Sequence, residues 1–172
     1  MDNVLFIFNM QEIYAGPNRN KEKYSYNAED LIKNINKRSL EYQPEEVFYI
    51  KSVAKGLGAL VGSMPKADSR DSDFVRDLKI RSRNIYEKNK SDCFSNDALA
   101  DFMRARNVKV IEFVGIDTSD EIGRSALTAT EDLDLKVVYN ELLMVNMAPD
   151  KAGKYRDKIR KTRITFKHDW EE

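Results

Sequence analysis

The sequence predicts a single α/β domain with three αβα layers and a mostly parallel six-stranded sheet. Short apolar runs alternate with longer amphipathic segments, which is the pattern of strands joined by crossover helices. The 172 residues are 41% hydrophobic and 34% charged, a globular balance that excludes a wholly disordered chain. This length fits one domain spanning residues 1–172, with little room for a second.

The first half of the chain begins with a strand and a helix. Residues 4–8 form an uninterrupted apolar run, typical of a central parallel strand covered on both faces. Leu31, Ile32 and Ile35 then recur at helical spacing and predict a helix over residues 28–39. The segments that follow are predicted as a strand, a loop, one or two helical turns and a third strand, at residues 47–50, 53–73, 74–80 and 84–86.

The second half continues the alternation. Leu99, Phe102 and Met103 share one face of a helix predicted over residues 95–106, with Ser95 or Asn96 as its cap. The segments that follow are predicted as alternating strands and helices, at residues 108–114, 118–133, 136–139, 151–161 and 164–166. The helix over 151–161 is basic, and we interpret it as a solvated face rather than a nucleic-acid surface.

Composition excludes several classes of protein. The 29 basic and 29 acidic side chains leave no net field to attract nucleic acid or an anionic membrane. No apolar stretch approaches the ~18 residues of a membrane helix, and the first residues lack a signal peptide's basic region. A single cysteine, Cys93, excludes an internal disulfide, and a single histidine, His168, excludes a site with two imidazoles. We expect a soluble cytoplasmic protein with no metal, cofactor, nucleic-acid partner or membrane partner.

Candidate site residues follow from topology. In open parallel sheets, ligands bind beyond the carboxyl ends of the strands. The residues to inspect therefore lie just after the predicted strands: Asn9, Gln11, 52–55, Lys88, 115–121 and 140–141.

Three of these segments resemble the isochorismatase-like cysteine hydrolases, which include isochorismatase, nicotinamidase and N-carbamoylsarcosine amidohydrolase relatives. Residues 5–11, Leu-Phe-Ile-Phe-Asn-Met-Gln, resemble the first strand of that family, which usually ends in Asp-Met-Gln. Lys88, six residues before Phe94, is similar to the catalytic lysine segment. Residues 115–118, Gly-Ile-Asp-Thr, resemble the start of the nucleophile segment, Gly-Val-x-Thr-x-x-Cys. The resemblance covers residues 3–167 and implies the isochorismatase-like, Rossmann-like fold.

The resemblance also locates a triad of Asp, Lys and Cys, in which the Cys attacks a small amide. Lys88 takes the lysine position, but Asn9 stands at the Asp position and Glu121 at the Cys position. An asparagine amide cannot act as a general base, and a carboxylate lacks the softness of a thiolate nucleophile. Loss of the nucleophile in a triad enzyme costs about a million-fold in turnover. The resemblance therefore implies that thioester chemistry is lost.

Two functions remain open. The first is a catalytically impaired family member that retains a small-ligand pocket or a scaffold role. The second is an active hydrolase of a small amide or vinyl ether that uses Lys88 and Glu121 as acid or base. A helix N-terminus and a nearby Lys88 both favour the ionised form of Glu121 and make it a poor acid, which favours the first function.

Each candidate residue also has a structural interpretation. Glu121 could form a capping box with Thr118, or it could turn into the catalytic pocket that the resemblance implies and pair with Lys88. Lys88 could belong to a solvated basic patch. Asn9 could be a polar residue that ends its strand and has no role in a pocket. Cys93 is expected to be a buried, inert thiol.

The resemblance carries further implications. It implies an oxyanion-type nest of backbone amides near Asp117 and Glu121, and a cis peptide bond between Ile116 and Asp117. The residues expected to line the pocket or supply its backbone are Gln11, Ile116, Asp117, Thr118 and Asp120. Relatives usually form dimers or larger assemblies, so we expect a homo-oligomer. The metal that some relatives bind through an Asp and paired histidines is not expected here.

Overall fold

The computed structural model describes residues 1–55, 64–162 and 164–167. Its strands are, in chain order, β1 Asn3–Phe8, β2 Val47–Ser52, β3 Ile85–Lys88, β4 Val110–Ile116, β5 Lys136–Val145 and β6 Ile164–Lys167. They form one sheet in the order β3-β2-β1-β4-β5-β6, and every neighbouring pair is parallel. The predicted six-stranded αβα architecture is confirmed. The strand order reverses between β1 and β4, where open sheets of this kind place their ligand crevice.

Helices cover both faces of this sheet. Their bounds are α1 Glu12–Ala15, α2 Ala28–Ser39, α3 Asp97–Ala105, α4 Glu121–Glu131 and α5 Pro149–Ile159. On one face, Leu5 and Ile7 of β1 pack in a core with residues of α2. On the other face, Val4, Phe6 and Phe8 pack in a core with residues of α3, α4 and α5. Because successive side chains of β1 point to opposite faces and both faces are covered, residues 4–8 of this strand are all apolar and buried. None of the described helices has the length and apolar character that a membrane span requires.

Two predicted segments differ from the structure. The predicted helical turns over residues 74–80 are wrong. The amide of Leu78 instead donates to the Val75 carbonyl at 3.1 Å and closes a single turn. The fifth strand is longer than predicted, because a register shift opposite Phe113 and Gly115 lets β5 continue pairing with β4 up to Val145. Residues 140–141 therefore lie within β5 rather than after it. Residues 56–63 of the predicted loop lie outside the described residues.

Gly115 lets the carboxyl ends of β1 and β4 approach closely. Its φ is +109°, and a Cβ built there would lie 2.3 Å from the carbonyl oxygen of Phe8. A side chain at this position would be strained by the backbone angle and by the contact. Glycine thus brings the end of β4 against the end of β1, where the candidate site residue Asn9 begins.

Candidate functional site

Four polar side chains meet at the carboxyl edge of the sheet. Asn9 follows β1, Ser52 ends β2, Lys88 ends β3 and Glu121 begins α4. Asn9, Ser52 and Lys88 are 2%, 0% and 2% exposed. Since the strands are parallel, their carboxyl ends share one edge, and the fold brings together residues that are 112 positions apart in sequence. We call these four residues the polar quartet.

Lys88 is the centre of the polar quartet. Its Nζ lies 2.8 Å from Glu121 Oε2 and donates to Ser52 Oγ at 2.7 Å and to the Lys90 carbonyl at 3.3 Å. Its side chain is 0% exposed, and that of Glu121 is 16% exposed. The pairing of Lys88 with Glu121 is confirmed, and the interpretation of Lys88 as part of a solvated patch is wrong. An ammonium has three protons, so these three acceptors saturate it.

Asn9 and Ser52 complete the network. The Asn9 amide nitrogen donates to the Ile116 carbonyl at 2.8 Å and to Glu121 Oε2. Its Oδ1 accepts from Ser52 Oγ at 2.9 Å, while Ser52 accepts from Lys88. The φ of Asn9 is +52°, a left-handed conformation that Asn and Asp adopt more readily than other side chains. Asn9 therefore contributes both its amide groups to the site and does more than end the strand.

Gln11 holds Ser52 in place from the side. Its Oε1 accepts from the Ser52 amide at 2.8 Å, and its Nε2 donates to the carbonyls of Ser52 at 2.9 Å and Ser72 at 3.1 Å. Gln11 is 0% exposed, so these bonds are shielded from water. Gln11 thereby positions the end of β2 that carries Ser52.

The predicted capping box of Thr118 and Glu121 is not formed. The helix begins at Glu121 with Asp120 as its N-cap residue, so Thr118 lies before the cap. The amide of Thr118 donates to the Val145 carbonyl at 2.9 Å, which keeps this residue in contact with β5. The carboxylate of Glu121 turns to Lys88 instead.

The loop between β4 and α4 has its own hydrogen bonds. The peptide bond between Ile116 and Asp117 is cis, as predicted. Asp117 Oδ1 accepts from the amides of Ser119 at 2.8 Å and Met147 at 3.1 Å. This carboxylate therefore braces the backbone segment to which the resemblance assigns an oxyanion nest, and the nest itself stays a prediction.

Asp120 points away from the polar quartet. Its Oδ1 accepts from Arg124 Nε at 2.6 Å and from the Tyr155 hydroxyl at 2.9 Å, and its Oδ2 accepts from Ser91. Burial raises the pKa of the Asp120 carboxyl, but the hydrogen bonds from these three residues outweigh it and leave the pKa below its usual value. Its side chain lines a groove between α4 and α5.

Asn140 belongs to a different buried cluster. It donates to Glu112 Oε1 at 2.7 Å. Arg38 donates to both carboxylate oxygens of Glu112, at 2.9 Å and 2.6 Å, and Tyr42 adds a bond at 2.7 Å. Burial raises the pKa of Glu112, but these hydrogen bonds and the charge of Arg38 bring it below its usual value. The topological prediction that Asn140 follows a strand and reaches the site is wrong because β5 continues past it.

The sequence assigned no specific role to two residues at the polar quartet. Ser52 was included only as part of a strand-end segment, because an isolated serine has no distinguishing signal. Tyr14, on α1, is 8% exposed; burial, and next the negative charge of Glu121, raise its pKa well above the usual value. No pattern in the sequence indicates that Tyr14 lies in the field of Glu121.

Cys93 is buried, as predicted, and burial raises the pKa of its thiol. The described part of the chain contains no group of three or more His, Cys, Asp and Glu side chains arranged to hold a metal ion. His168 lies outside the described residues.

Comparison with known proteins identifies the family. The family model described as Isochorismatase domain matches residues 3–140, which is well over half of the chain. The chain belongs to the isochorismatase family. A sequence comparison with curated proteins finds no significant match.

Solved structures with low sequence identity are similar in fold over nearly the full length of the chain. The Pyrococcus horikoshii pyrazinamidase in complex with zinc has a TM-score of 0.77 at 16% identity, covering 98% of this chain and 100% of that one. An isochorismatase family protein from Desulfovibrio vulgaris has a TM-score of 0.76 at 19% identity, covering 95% and 92%. The Thermoplasma acidophilum N-carbamoylsarcosine amidase has a TM-score of 0.76 at 14% identity, covering 97% and 96%.

Proposed function

We propose that this protein is a catalytically impaired member of the isochorismatase family that serves as a small-ligand binding protein or a scaffold. The proposal rests on the buried ion pair between Lys88 and Glu121, whose atoms lie 2.8 Å apart. By the resemblance, Glu121 takes the place of the nucleophilic thiol. The cation that would assist catalysis is therefore neutralised by a carboxylate from the chain itself.

Saturation of the polar quartet supports this proposal. The three protons of the Lys88 ammonium meet Glu121, Ser52 and the Lys90 carbonyl. Both amide protons of Asn9 are also used, on Ile116 and Glu121. A substrate would have to displace one of these internal acceptors, and separating a buried ion pair costs several kcal/mol, of order 3–5 when one partner is removed outright. The resting site thus has no free donor on either residue.

The alternative is an active hydrolase in which Glu121 acts as acid or base. A general acid must hold a proton and a general base must have a lone pair directed at the substrate. The Oε2 atom of Glu121 instead accepts from Lys88 and Asn9. Its Oε1 lies 3.3 Å from the Ser52 hydroxyl, so both carboxylate oxygens face groups of the chain itself, which opposes either role.

Turnover by the purified protein tests the proposal. The panel contains nicotinamide, an N-carbamoyl amide and isochorismate, and Lys88→Ala serves as the control for contaminating hydrolases. We expect wild-type rates equal to those of Lys88→Ala and of buffer. Turnover above buffer that disappears in Lys88→Ala would refute the proposal and support the active-hydrolase alternative.

A restored triad tests whether the substitutions cause the impairment. Asn9→Asp combined with Glu121→Cys returns the residue types of the family triad beside Lys88. We expect iodoacetamide to alkylate the new thiol faster than in Glu121→Cys alone, because the Asp carboxylate can accept the thiol proton. The native thiol of Cys93 is 1% exposed and contributes little background. Equal alkylation rates in the two variants would mean that residue 9 does not control the chemistry of this site.

We further propose that the protein is cytoplasmic, as its composition indicates, and that it forms a homo-oligomer, a dimer or larger, as the family resemblance implies. Light scattering coupled to size-exclusion chromatography measures the molar mass directly. A mass near the 19.9 kDa of one chain across micromolar concentrations would contradict the oligomer.

A further inference from the structure

A groove of about 730 Å³ lies between α4 and α5, outside the polar quartet. Tyr155 and Leu127 are among the residues that line it. Four basic and two acidic side chains line it: Arg124, Lys151, Lys154, Lys158, Asp92 and Asp120.

The two acidic residues are already engaged by the protein. Asp92 Oδ1 accepts from the Phe94 amide at 2.9 Å, and its Oδ2 accepts from the Thr128 hydroxyl at 2.7 Å. Asp120 accepts from Arg124, among others. These bonds hold the two carboxylates against the protein, and the four basic side chains outnumber them two to one in the lining.

The three lysines have no such partners. Lys151, Lys154 and Lys158 are exposed, and no ion pair joins them to a carboxylate of residues 1–55, 64–162 or 164–167. Their spacing of three and four residues places them on one side of α5, over a length of about 10 Å at 1.5 Å per residue. Like charges at this spacing repel each other and destabilise a helix. A multivalent anion in the groove would relieve that repulsion.

The packing of α4 against α5 keeps the groove in shape. A Cβ added to Gly123 would lie 2.8 Å from the Tyr155 ring, so the missing side chain lets the two helices approach closely. The Tyr155 hydroxyl also donates to Asp120 at 2.9 Å, and the Arg124 guanidinium lies 5.6 Å from the centre of the Tyr155 ring. The three lysines and Arg124 therefore line one groove, in which packing and hydrogen bonding hold Tyr155 in place.

We propose that this groove binds a small polyanion that carries two or three linked phosphate groups. Lysine ammonium groups bind phosphate oxygens as point charges, and a row of about 10 Å suits several phosphates rather than one. The groove volume suits a metabolite rather than a macromolecule. The inference is independent of the proposed function, because it uses none of the polar quartet residues.

Calorimetric titration of the full chain with tripolyphosphate tests this site. The test variant is Lys154→Gln/Lys158→Gln, and the matched control is Lys33→Gln/Lys37→Gln, which removes the same charge from exposed positions on α2. We expect saturable binding with one site per chain, weakened about ten-fold in the test variant, as the loss of two exposed charge contacts implies. The control variant should bind as the wild type does.

Three results would overturn the proposal. The first is no saturable heat at millimolar tripolyphosphate. The second is an equal loss of affinity in the test and control variants, which would indicate diffuse attraction by net charge. The third is binding of a single-stranded RNA oligonucleotide that tightens with its length and exceeds that of tripolyphosphate, which would assign the basic face to a nucleic acid.

Discussion

Replacing Glu121 with alanine tests the buried ion pair by its effect on stability. The Lys88 side chain is 0% exposed, so Glu121→Ala leaves an ammonium group with only two neutral acceptors. Removing one partner of a buried pair costs about 3–5 kcal/mol. Because Glu121 is 16% exposed, water can enter its place, and we expect the lower figure, about 3 kcal/mol. For a chain of this size that is a fall in Tm of about 6–12 °C.

The assay is a double-mutant cycle measured by urea unfolding. Lys88→Met should lower the free energy of unfolding by about 2 kcal/mol, because the Glu121 carboxylate keeps its hydrogen bond from the Asn9 amide and stays partly hydrated. The double variant should cost about 3 kcal/mol rather than the sum, which gives a coupling energy of about 2 kcal/mol. Glu131→Ala, at the exposed end of the same helix, should change stability by less than about 0.5 kcal/mol. Additive single effects, or a Glu121→Ala variant as stable as Glu131→Ala, would refute the reasoning.

Three other measurements test separate parts of the fold. Gly123→Ala should lose about 1–3 kcal/mol of unfolding free energy, because its Cβ meets the Tyr155 ring at 2.8 Å. Gly153→Ala, whose Cβ would have nothing within 4 Å, should gain about 0.5–1 kcal/mol of unfolding free energy. Equal changes in Tm for the two variants would contradict the close packing of Gly123 on Tyr155. The pKa of Glu112 is lowered in the fold, so its contribution to the free energy of unfolding is present above the unfolded pKa of about 4.3 and is lost as pH falls further. Glu112→Gln should flatten this pH dependence of stability in urea titrations at a series of pH values. An unchanged pH dependence would count against the cluster. At pH 8, Ellman's reagent should label the buried Cys93 at least about 100-fold faster in urea than in buffer, as burial of the thiol implies; rapid labelling of the native protein would disprove that burial.

The sequence predicts the sheet well because its signals are local. The apolar run of residues 4–8 lies in β1, and residues 28–39 form α2 with the bounds predicted. In α2 the buried residues recur at helical spacing, and in β1 residues 4–8 are all buried because both faces of the sheet are covered. The end of β5 was misplaced because pairing with β4, rather than local composition, extends that strand to Val145.

The candidate site is only partly predictable for the same reason. Lys88, Asn9 and Glu121 were located by motif and by position at a strand end, and the pairing of Glu121 with Lys88 was one of two alternatives for that carboxylate. The choice between a capping box and a salt bridge for Glu121 depends on where the Lys88 amine, at the end of β3, lies relative to the start of α4. That position is set by strand order, which no local pattern of residues records.

The sequence by itself determined the fold class and the family resemblance, and it predicted that Glu121 stands at the position of the nucleophilic thiol, because each of these depends on residue identity and local periodicity. The tertiary structure alone decided that Ser52 links Lys88 to Asn9, with bonds of 2.7 and 2.9 Å. It also decided that the carboxylate of Glu121 occupies the site. Hydrogen bonds of this kind require groups from separate strand ends to meet within about 3 Å, and only the assembled sheet brings those ends together.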